Sequence, residues 1–189
     1  MNRLRHAYLM WGASVAEERR LMPGDELLPT PDLLSTRAVS IEVGPEAVWP
    51  WLVQMGSGRG GAYTYDWIEN LFGLNMHSAD EILPRFQSLA VGEVLPMGKG
   101  PGMRVEVCEP PRALVFRSED RRWVWSFELT PIVLGTRLVS RNRIVTASAH
   151  WPVRAFNLVV MEPGSLIMER RMLLGIKQRA ERPHAAAAR

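Results

Sequence analysis

The hydrophobic pattern changes its period three times along the chain. Residues 37–44 alternate between apolar and polar positions, which predicts a half-buried β-strand. Apolar residues then recur at helical spacing on both sides of the glycine-rich loop 56–61, which predicts two short helices. A period of two returns after about residue 92, and turn residues divide that region into five candidate strands: 92–97, 103–109, 112–119, 123–130 and 135–145.

The C-terminal pattern completes the predicted architecture. Apolar positions such as Ile167, Leu173 and Ile176 predict a long helix over about 158–181, after a loop near 146–152. The order strand, two helices, run of strands, long helix predicts an α+β fold with its helices on one face of an antiparallel sheet. A curved sheet wrapped around a long terminal helix leaves a gap, and that gap is the expected ligand site.

An arm is predicted to precede this domain. We assign residues 1–35 to the arm, 36–182 to the domain and 183–189 to a disordered, alanine-rich tail. Ser14 and Glu17 fit a capping box, which predicts a short helix from about residue 15 to residue 21. The arm is rich in apolar residues, so it is expected to cover the body of this chain or of a partner chain. The second alternative is a homodimer formed through the arm.

Composition and charge exclude several classes of protein. The chain has 189 residues and one cysteine, so it has room for one domain and cannot form an internal disulfide or a multi-cysteine metal site. It lacks an apolar run long enough to span a membrane and a signal-peptide pattern, which predicts a cytoplasmic location. The 23 basic and 20 acidic residues are interleaved, which favours solvated faces with local ion pairs and argues against a nucleic-acid partner.

Three segments carry a resemblance to a known superfamily. They are AVSIEVGPEAVWPWLVQMGSGRGGAYTYDWIENL, HSADEILPRFQSLAVGE and MEPGSLIMERRMLLGIKQRAE. With the order of elements, they resemble a bacterial subgroup of the START/Bet v 1-like superfamily, also called SRPBCC, over about residues 36–182. The resemblance implies a helix-grip fold, in which a curved antiparallel sheet wraps around a long C-terminal helix, with two short helices after the first strand. Members of the superfamily include lipid carriers, polyketide binders, aromatase/cyclases and co-chaperone regulators, which share a cavity rather than a catalytic motif.

Aromatic and methionine side chains supply the apolar candidates for a cavity wall. Seven tryptophans and ten methionines are many for this length, and Trp123, Trp125 and Phe127 share one face of a strand. Such side chains bring large, adaptable apolar area to a pocket. Ordinary core packing is the alternative for each of them. The apolar candidates for ligand binding are Trp51, Tyr63, Tyr65, Trp125, Met168 and Met172.

Four polar residues are further candidates for ligand contact. Arg59, at the tip of the loop, is a candidate for contact with an anionic head group, and the favoured alternative is an ordinary surface arginine. Residues 56–64 are expected to act as a mobile lid over the cavity. The G-x-G-x-x-G spacing of this loop does not predict a nucleotide site, because a meander rather than parallel βαβ units follows it. His77 is the histidine expected in a semi-enclosed region. Ser140 and Asn142 would orient a ligand carbonyl if their strand face points inward.

The orientation of that last strand leaves two alternatives open. The face opposite Ser140 and Asn142 carries Arg141 and Arg143, which would instead favour a carboxylate ligand if they pointed inward. We expect these arginines to point outward, because an unpaired buried arginine is costly. Glu169, in the run Glu169-Arg170-Arg171, is expected mainly on a solvent face, with gating of the cavity as its alternative.

Catalytic residues are only weakly indicated. Tyr65, Asp66 and His77 are the candidates for moving protons, and Asp66 with Glu69 forms an i, i+3 carboxylate pair whose alternative role is capping or pairing with arginine. No cofactor is predicted, and no metal site either, because H-x-x-x-H and C-x-x-C spacings are absent. The leading hypothesis is non-enzymatic binding of a small hydrophobic or aromatic ligand, lipid-like or polyketide-like. The alternative is an aromatase/cyclase-type enzyme acting on a polyketide-like substrate.

Overall fold

The structure is a computed structural model and describes residues 3–71, 73–97, 100–146 and 162–182. Its helices are α1 (Arg3–Leu9), α2 (Val15–Arg19), α3 (Pro45–Val53), α4 (Asp66–Leu71) and α5 (Glu162–Ala180). Its strands are β1 (Leu33–Ile41), β2 (Val94–Leu95), β3 (Met103–Glu109), β4 (Ala113–Ser118), β5 (Trp123–Ile132) and β6 (Gly135–Ile144). Two short 3₁₀ turns span Asp25–Leu27 and Pro84–Phe86.

The strands form one antiparallel sheet in the order β1-β6-β5-β4-β3-β2. Tight turns join neighbouring strands from β3 to β6, so these four strands form a meander. The first strand, β1, pairs with β6 and is the edge strand on that side of the sheet. The predicted α+β helix-grip architecture is therefore confirmed, including the two short helices after the first strand. The predicted start of the long helix near residue 158 and most of the loop 146–152 lie outside the described residues.

The first strand begins earlier than its alternation suggested. It starts at Leu33, opposite Ile144 of β6, so its first residues lie within the segment assigned to the arm. Arg37 interrupts the apolar alternation on its inner face, and it pairs in register with Ser140. The sequence pattern therefore located residues 37–41 of the strand and missed residues 33–36.

The main core lies between the inner face of the sheet and the helices α3 and α5. Leu173 and Ile176 of α5 are fully buried beside Phe127 and Leu138 of the sheet. The backbone of α5 approaches closely at Gly175, where a Cβ atom would lie 2.5 Å from the carbonyl oxygen of Tyr63. The close approach requires a residue without a side chain at this position.

The arm packs against the same chain: α1 contacts α5 and β1, and the segment from α2 onward lies on the outer face of the sheet. It passes the edge of β1, where the Ala38 amide donates to the Trp11 carbonyl at 3.1 Å. The helix α2 follows and has the predicted capping box, in which Ser14 and Glu17 bond each other's backbone amides. Met22 then joins Ala38 and a β6 residue in a second, smaller apolar cluster.

Outward-facing arginines of β6 hold the arm in place. Arg141 is 2% exposed and donates to Asp25 Oδ2 at 2.7 Å and to the backbone carbonyls of Glu17, Glu18 and Arg20. Arg143 donates to the carbonyl of Leu28 at 2.7 Å. The prediction of solvated faces with local ion pairs is wrong here, because arm carbonyls more than a hundred residues away supply the acceptors.

Candidate functional site

A half-enclosed cavity of about 160 Å³ lies between the inner face of the sheet and the segment that follows α3. Among the described residues, its lining is apolar apart from one carboxyl group. Methionine and aromatic side chains dominate the wall, as expected for a pocket that accepts irregular apolar shapes. The described lining residues are Met55, Gly56, Ala62, Glu69, Leu74, Met76, Leu95, Met97, Met103, Phe116, Trp123 and Trp125.

The sheet side of the wall is built by alternating residues of one strand. Trp123 and Trp125 stack with ring centroids 5.4 Å apart, and Trp125 also contacts Phe127 at 4.9 Å. Both indole N–H groups are occupied: Trp123 Nε1 donates to Asn142 Oδ1 at 2.8 Å, and Trp125 Nε1 donates to Ser140 Oγ at 3.0 Å. The two indoles can therefore offer carbon surface to the cavity while their polar edges stay bonded to β6.

Ser140 and Asn142 are in turn held by a buried carboxylate on the long helix. The Ser140 hydroxyl donates to Glu169 Oε1 at 2.6 Å, and the Asn142 amide donates to both carboxylate oxygens at 3.1 Å. Arg37 of β1 pairs with the same carboxylate, and its other nitrogens donate to Ser165 Oγ and to the Tyr8 carbonyl. The prediction that Glu169 lies on a solvent face is wrong, because this network buries it.

The remaining polar group of the cavity wall is Glu69 on α4. Its side chain is 9% exposed, and its Oε2 atom has no hydrogen-bond partner. Burial raises the pKa of this carboxyl above its usual value. The neighbouring Thr64 hydroxyl opposes this rise in pKa, and the charge of Asp66 adds to it.

Three of the predicted apolar site residues lie in the core instead of on this wall. Trp51, Tyr63 and Met172 are at most 2% exposed and belong to the main core cluster. The Tyr63 hydroxyl donates to the Trp51 carbonyl at 2.9 Å, and the two rings pack edge to face. Met172 lies on the face of α5 that packs against the sheet, and Met168 is half-buried. Trp125 is the predicted ligand-binding residue that lines the cavity.

The glycine-rich loop is tied to its surroundings by its own backbone. The Gly60 amide donates to the Gln54 carbonyl at 2.7 Å, and the Gly58 amide donates to the Asn75 carbonyl at 3.2 Å. Arg59 turns inward, where it donates to the Val53 and Phe86 carbonyls and lies over the Phe86 ring. The loop amides and Arg59 Nη2 therefore already have protein partners, whereas the buried Arg59 Nε atom has none.

The three catalytic candidates do not form one constellation. Asp66 accepts from the amide and the hydroxyl of Ser78, at 2.7 and 2.5 Å. His77 is exposed, and Tyr65 is 38% exposed beneath the guanidinium of Arg171. Among the described residues no hydrogen bond links these three side chains, and none of them lines the cavity. Nor does this part of the chain contain a group of three or more His, Cys, Asp or Glu side chains arranged to hold a metal ion.

Sequence reasoning missed most of the cavity wall. Met55, Met76, Met97 and Met103 line it, although none of them was singled out. The available signal was the position of Met97 and Met103 on either side of the glycine-rich turn between β2 and β3. Among the helices of the described residues, none combines the length and apolar character needed to cross a bilayer.

Comparisons with known proteins relate the architecture to solved structures. The MLL2253 protein from Mesorhizobium loti is 17% identical with a TM-score of 0.50, and the match covers 80% of this chain and 98% of that one. The KanY protein is 15% identical with a TM-score of 0.51, with coverages of 80% and 99%. The Polyketide_cyc-like protein Cgl2372 from Corynebacterium glutamicum is 15% identical with a TM-score of 0.42, with coverages of 86% and 100%. No protein-family model matches the sequence, and no curated protein matches it. The sheet order, the two short helices, the long terminal helix and the likenesses to MLL2253 and KanY together show that the chain has the helix-grip fold.

Proposed function

We propose that this protein binds a small hydrophobic ligand that carries an aromatic ring, within the cavity between the sheet and the segment 55–76. The observation that carries the proposal is the lining of that cavity: methionine, tryptophan, phenylalanine and leucine side chains around about 160 Å³ of space. Transfer of an apolar ring from water to such a wall is favourable by roughly 25 cal/mol per Å² of buried apolar surface.

The cavity volume narrows the class of ligand. An apolar protein cavity of about 150 Å³ stays dry and binds benzene, so a volume of about 160 Å³ suits one six-membered ring with a short substituent. A lipid-like or polyketide-like molecule would therefore be held by one ring or one chain segment at a time. Trp125 and Trp123 offer this ring carbon surface, because they line the cavity and their N–H groups are bonded elsewhere.

Binding is favoured over an aromatase/cyclase activity. Proton transfer on a polyketide-like substrate needs an acid and a base within reach of the same bound molecule. Among the described lining residues, Glu69 is the one titratable group. The catalytic candidates Tyr65, Asp66 and His77 lie outside the lining, so a second proton-transfer group is lacking from this part of the wall.

Thermal unfolding with toluene as the probe tests the proposal. A ligand at a hundredfold its dissociation constant stabilises the folded state by about 2.7 kcal/mol, which a shift in Tm reports. Ala62→Leu adds three carbon atoms to the wall and is expected to abolish the shift, whereas Ala47→Leu on α3, away from the cavity, is the matched control and should retain it. The proposal fails if toluene, indole and naphthalene leave the Tm of the unmodified protein unchanged, or if Ala62→Leu responds as fully as the control.

Two further predictions from the sequence concern partners and location. The described arm lies on its own chain, where Arg141 and Arg143 donate to its backbone carbonyls. The prediction of a homodimer through the arm is tested by sedimentation of the full chain at several concentrations. A constant monomer mass would reject the homodimer. The cytoplasmic location stays a prediction.

A further inference from the structure

Glu69 is the polar exception in the cavity wall. It lies on α4. The other described lining residues are Gly56 and ten residues with apolar side chains. Its side chain is 9% exposed, yet Oε2 accepts no hydrogen bond, and no ion pair joins Glu69 to any described arginine or lysine. Buried polar groups are nearly always hydrogen-bonded, and each exception requires an explanation.

A purely structural role does not account for this carboxyl. A leucine at position 69 would fill the same volume without the cost of removing a polar group from water. Asp66, one turn earlier on α4, shows the contrast, because both its oxygens are bonded by Ser78. A second buried oxygen without a partner, Thr64 Oγ1, lies next to Glu69. Two unpartnered buried oxygens therefore lie side by side here, and of the two residues Glu69 lines the cavity.

We propose that Glu69 is the specificity-determining residue of the cavity, and that its carboxyl group donates a hydrogen bond to one acceptor atom, such as a ketone oxygen, on an otherwise apolar aromatic ligand. The inference rests on the proposed function, and it defines the ligand more narrowly: a neutral ring compound with a carbonyl group. A bound carbonyl oxygen gives the carboxyl the partner that the protein does not supply.

The surroundings of Glu69 favour a donor over an acceptor. Only the neutral carboxyl carries a proton to donate, and burial together with the negative charge of Asp66 favours that form by raising the pKa. Asp66 is the charged group of the described residues that acts on it, and the lining residues from the strands and from segments 55–62 and 74–76 are uncharged. An ionised carboxylate among indoles would select a cationic amine instead, and the test separates these two outcomes.

Ring compounds of equal size form the test. Acetophenone, ethylbenzene, benzylamine and benzoate are titrated by calorimetry into the unmodified protein, Glu69→Gln and Glu69→Leu. We expect acetophenone to bind the unmodified protein about tenfold more tightly than ethylbenzene, which is the worth of one hydrogen bond. Glu69→Gln retains an N–H donor and should keep the preference, whereas Glu69→Leu should bind both compounds equally.

The pH profile provides a second readout. In the unmodified protein, acetophenone affinity should fall as pH rises through the pKa of Glu69, because the donor proton is lost, while ethylbenzene affinity changes little. Glu69→Gln should show no such fall between about pH 5 and about pH 9. Equal binding of acetophenone and ethylbenzene, or tightest binding of benzylamine, overturns the inference and leaves the proposed function intact. Failure of every ring compound overturns both.

Discussion

The buried ion pair between Arg37 and Glu169 gives the sharpest test of how this fold is held together. The two side chains are 1% and 8% exposed, and the Glu169 carboxylate also accepts hydrogen bonds from Ser140 and Asn142. Glu169→Leu removes the acceptor of all three groups and leaves the Arg37 guanidinium buried without its partner. Loss of one partner of a buried pair costs about 3–5 kcal/mol.

The expected cost is a large share of the stability of a domain. Domains unfold with about 5–15 kcal/mol, and in a chain of this size each kcal/mol corresponds to about 2–4 °C in Tm. We therefore expect Glu169→Leu to lower Tm by roughly 10 °C, measured by circular dichroism together with urea unfolding. Arg37→Met combined with Glu169→Leu should recover most of the loss, because the double replacement leaves no unpaired buried charge.

Two comparisons decide whether the reasoning holds. Arg112 pairs with Glu109 on the surface, with side chains 55% and 52% exposed, so Arg112→Met is the matched control and should cost under about 1 kcal/mol. The reasoning is refuted if Glu169→Leu costs no more than this control. It is equally refuted if the double variant loses as much unfolding free energy as Glu169→Leu and Arg37→Met lose separately when added together, since the two sites would then be uncoupled.

The remaining predictions concern backbone approach and pH. Gly175→Ala should lower Tm despite the better helix propensity of alanine, because its Cβ atom would lie 2.5 Å from the Tyr63 carbonyl oxygen. Gly164→Ala in the same helix is the control: its Cβ atom meets nothing within 4 Å, so this variant should raise Tm slightly. A rise in Tm for both variants would contradict the close approach at Gly175. The hydrogen bond from Arg137 lowers the pKa of Glu17 from 4.5 to about 2. The ionised Glu17 carboxylate therefore stabilises the folded state fully above about pH 4.5, and this stabilisation is lost as pH falls towards 2. Arg137→Met should weaken the loss of unfolding free energy between about pH 4.5 and about pH 2, measured by urea unfolding at a series of pH values. An unchanged loss in this variant would contradict the assignment to Arg137 and Glu17.

The arm shows where sequence reasoning succeeded and where it stopped. The capping box of Ser14 and Glu17 was predictable, because its two residues are three positions apart and satisfy each other. The attachment of the arm was not predictable, because Arg141 binds it mainly through backbone carbonyls, which every residue carries and no pattern distinguishes.

The cavity wall shows the same division. Alternation placed Trp123 and Trp125 on one face, and the structure places both on the wall. Alternation could not separate a core residue from a wall residue, so Trp51 and Tyr63 were expected beside a ligand although they pack against each other. Glu69 was noted only for its spacing from Asp66, because a sequence does not reveal which carboxyl is buried.

The sequence by itself determined the elements and their order, because periods of two and 3.6 and the turn residues between them are local properties of the chain. It thereby determined an antiparallel meander closed by a long helix. Only the tertiary structure decided that Glu169 is buried against Arg37, that the indole N–H groups are bonded to β6, and that Glu69 faces an apolar cavity. The physical reason is that burial and hydrogen-bond partners depend on residues far apart in the chain, which meet only when the sheet and helices have packed.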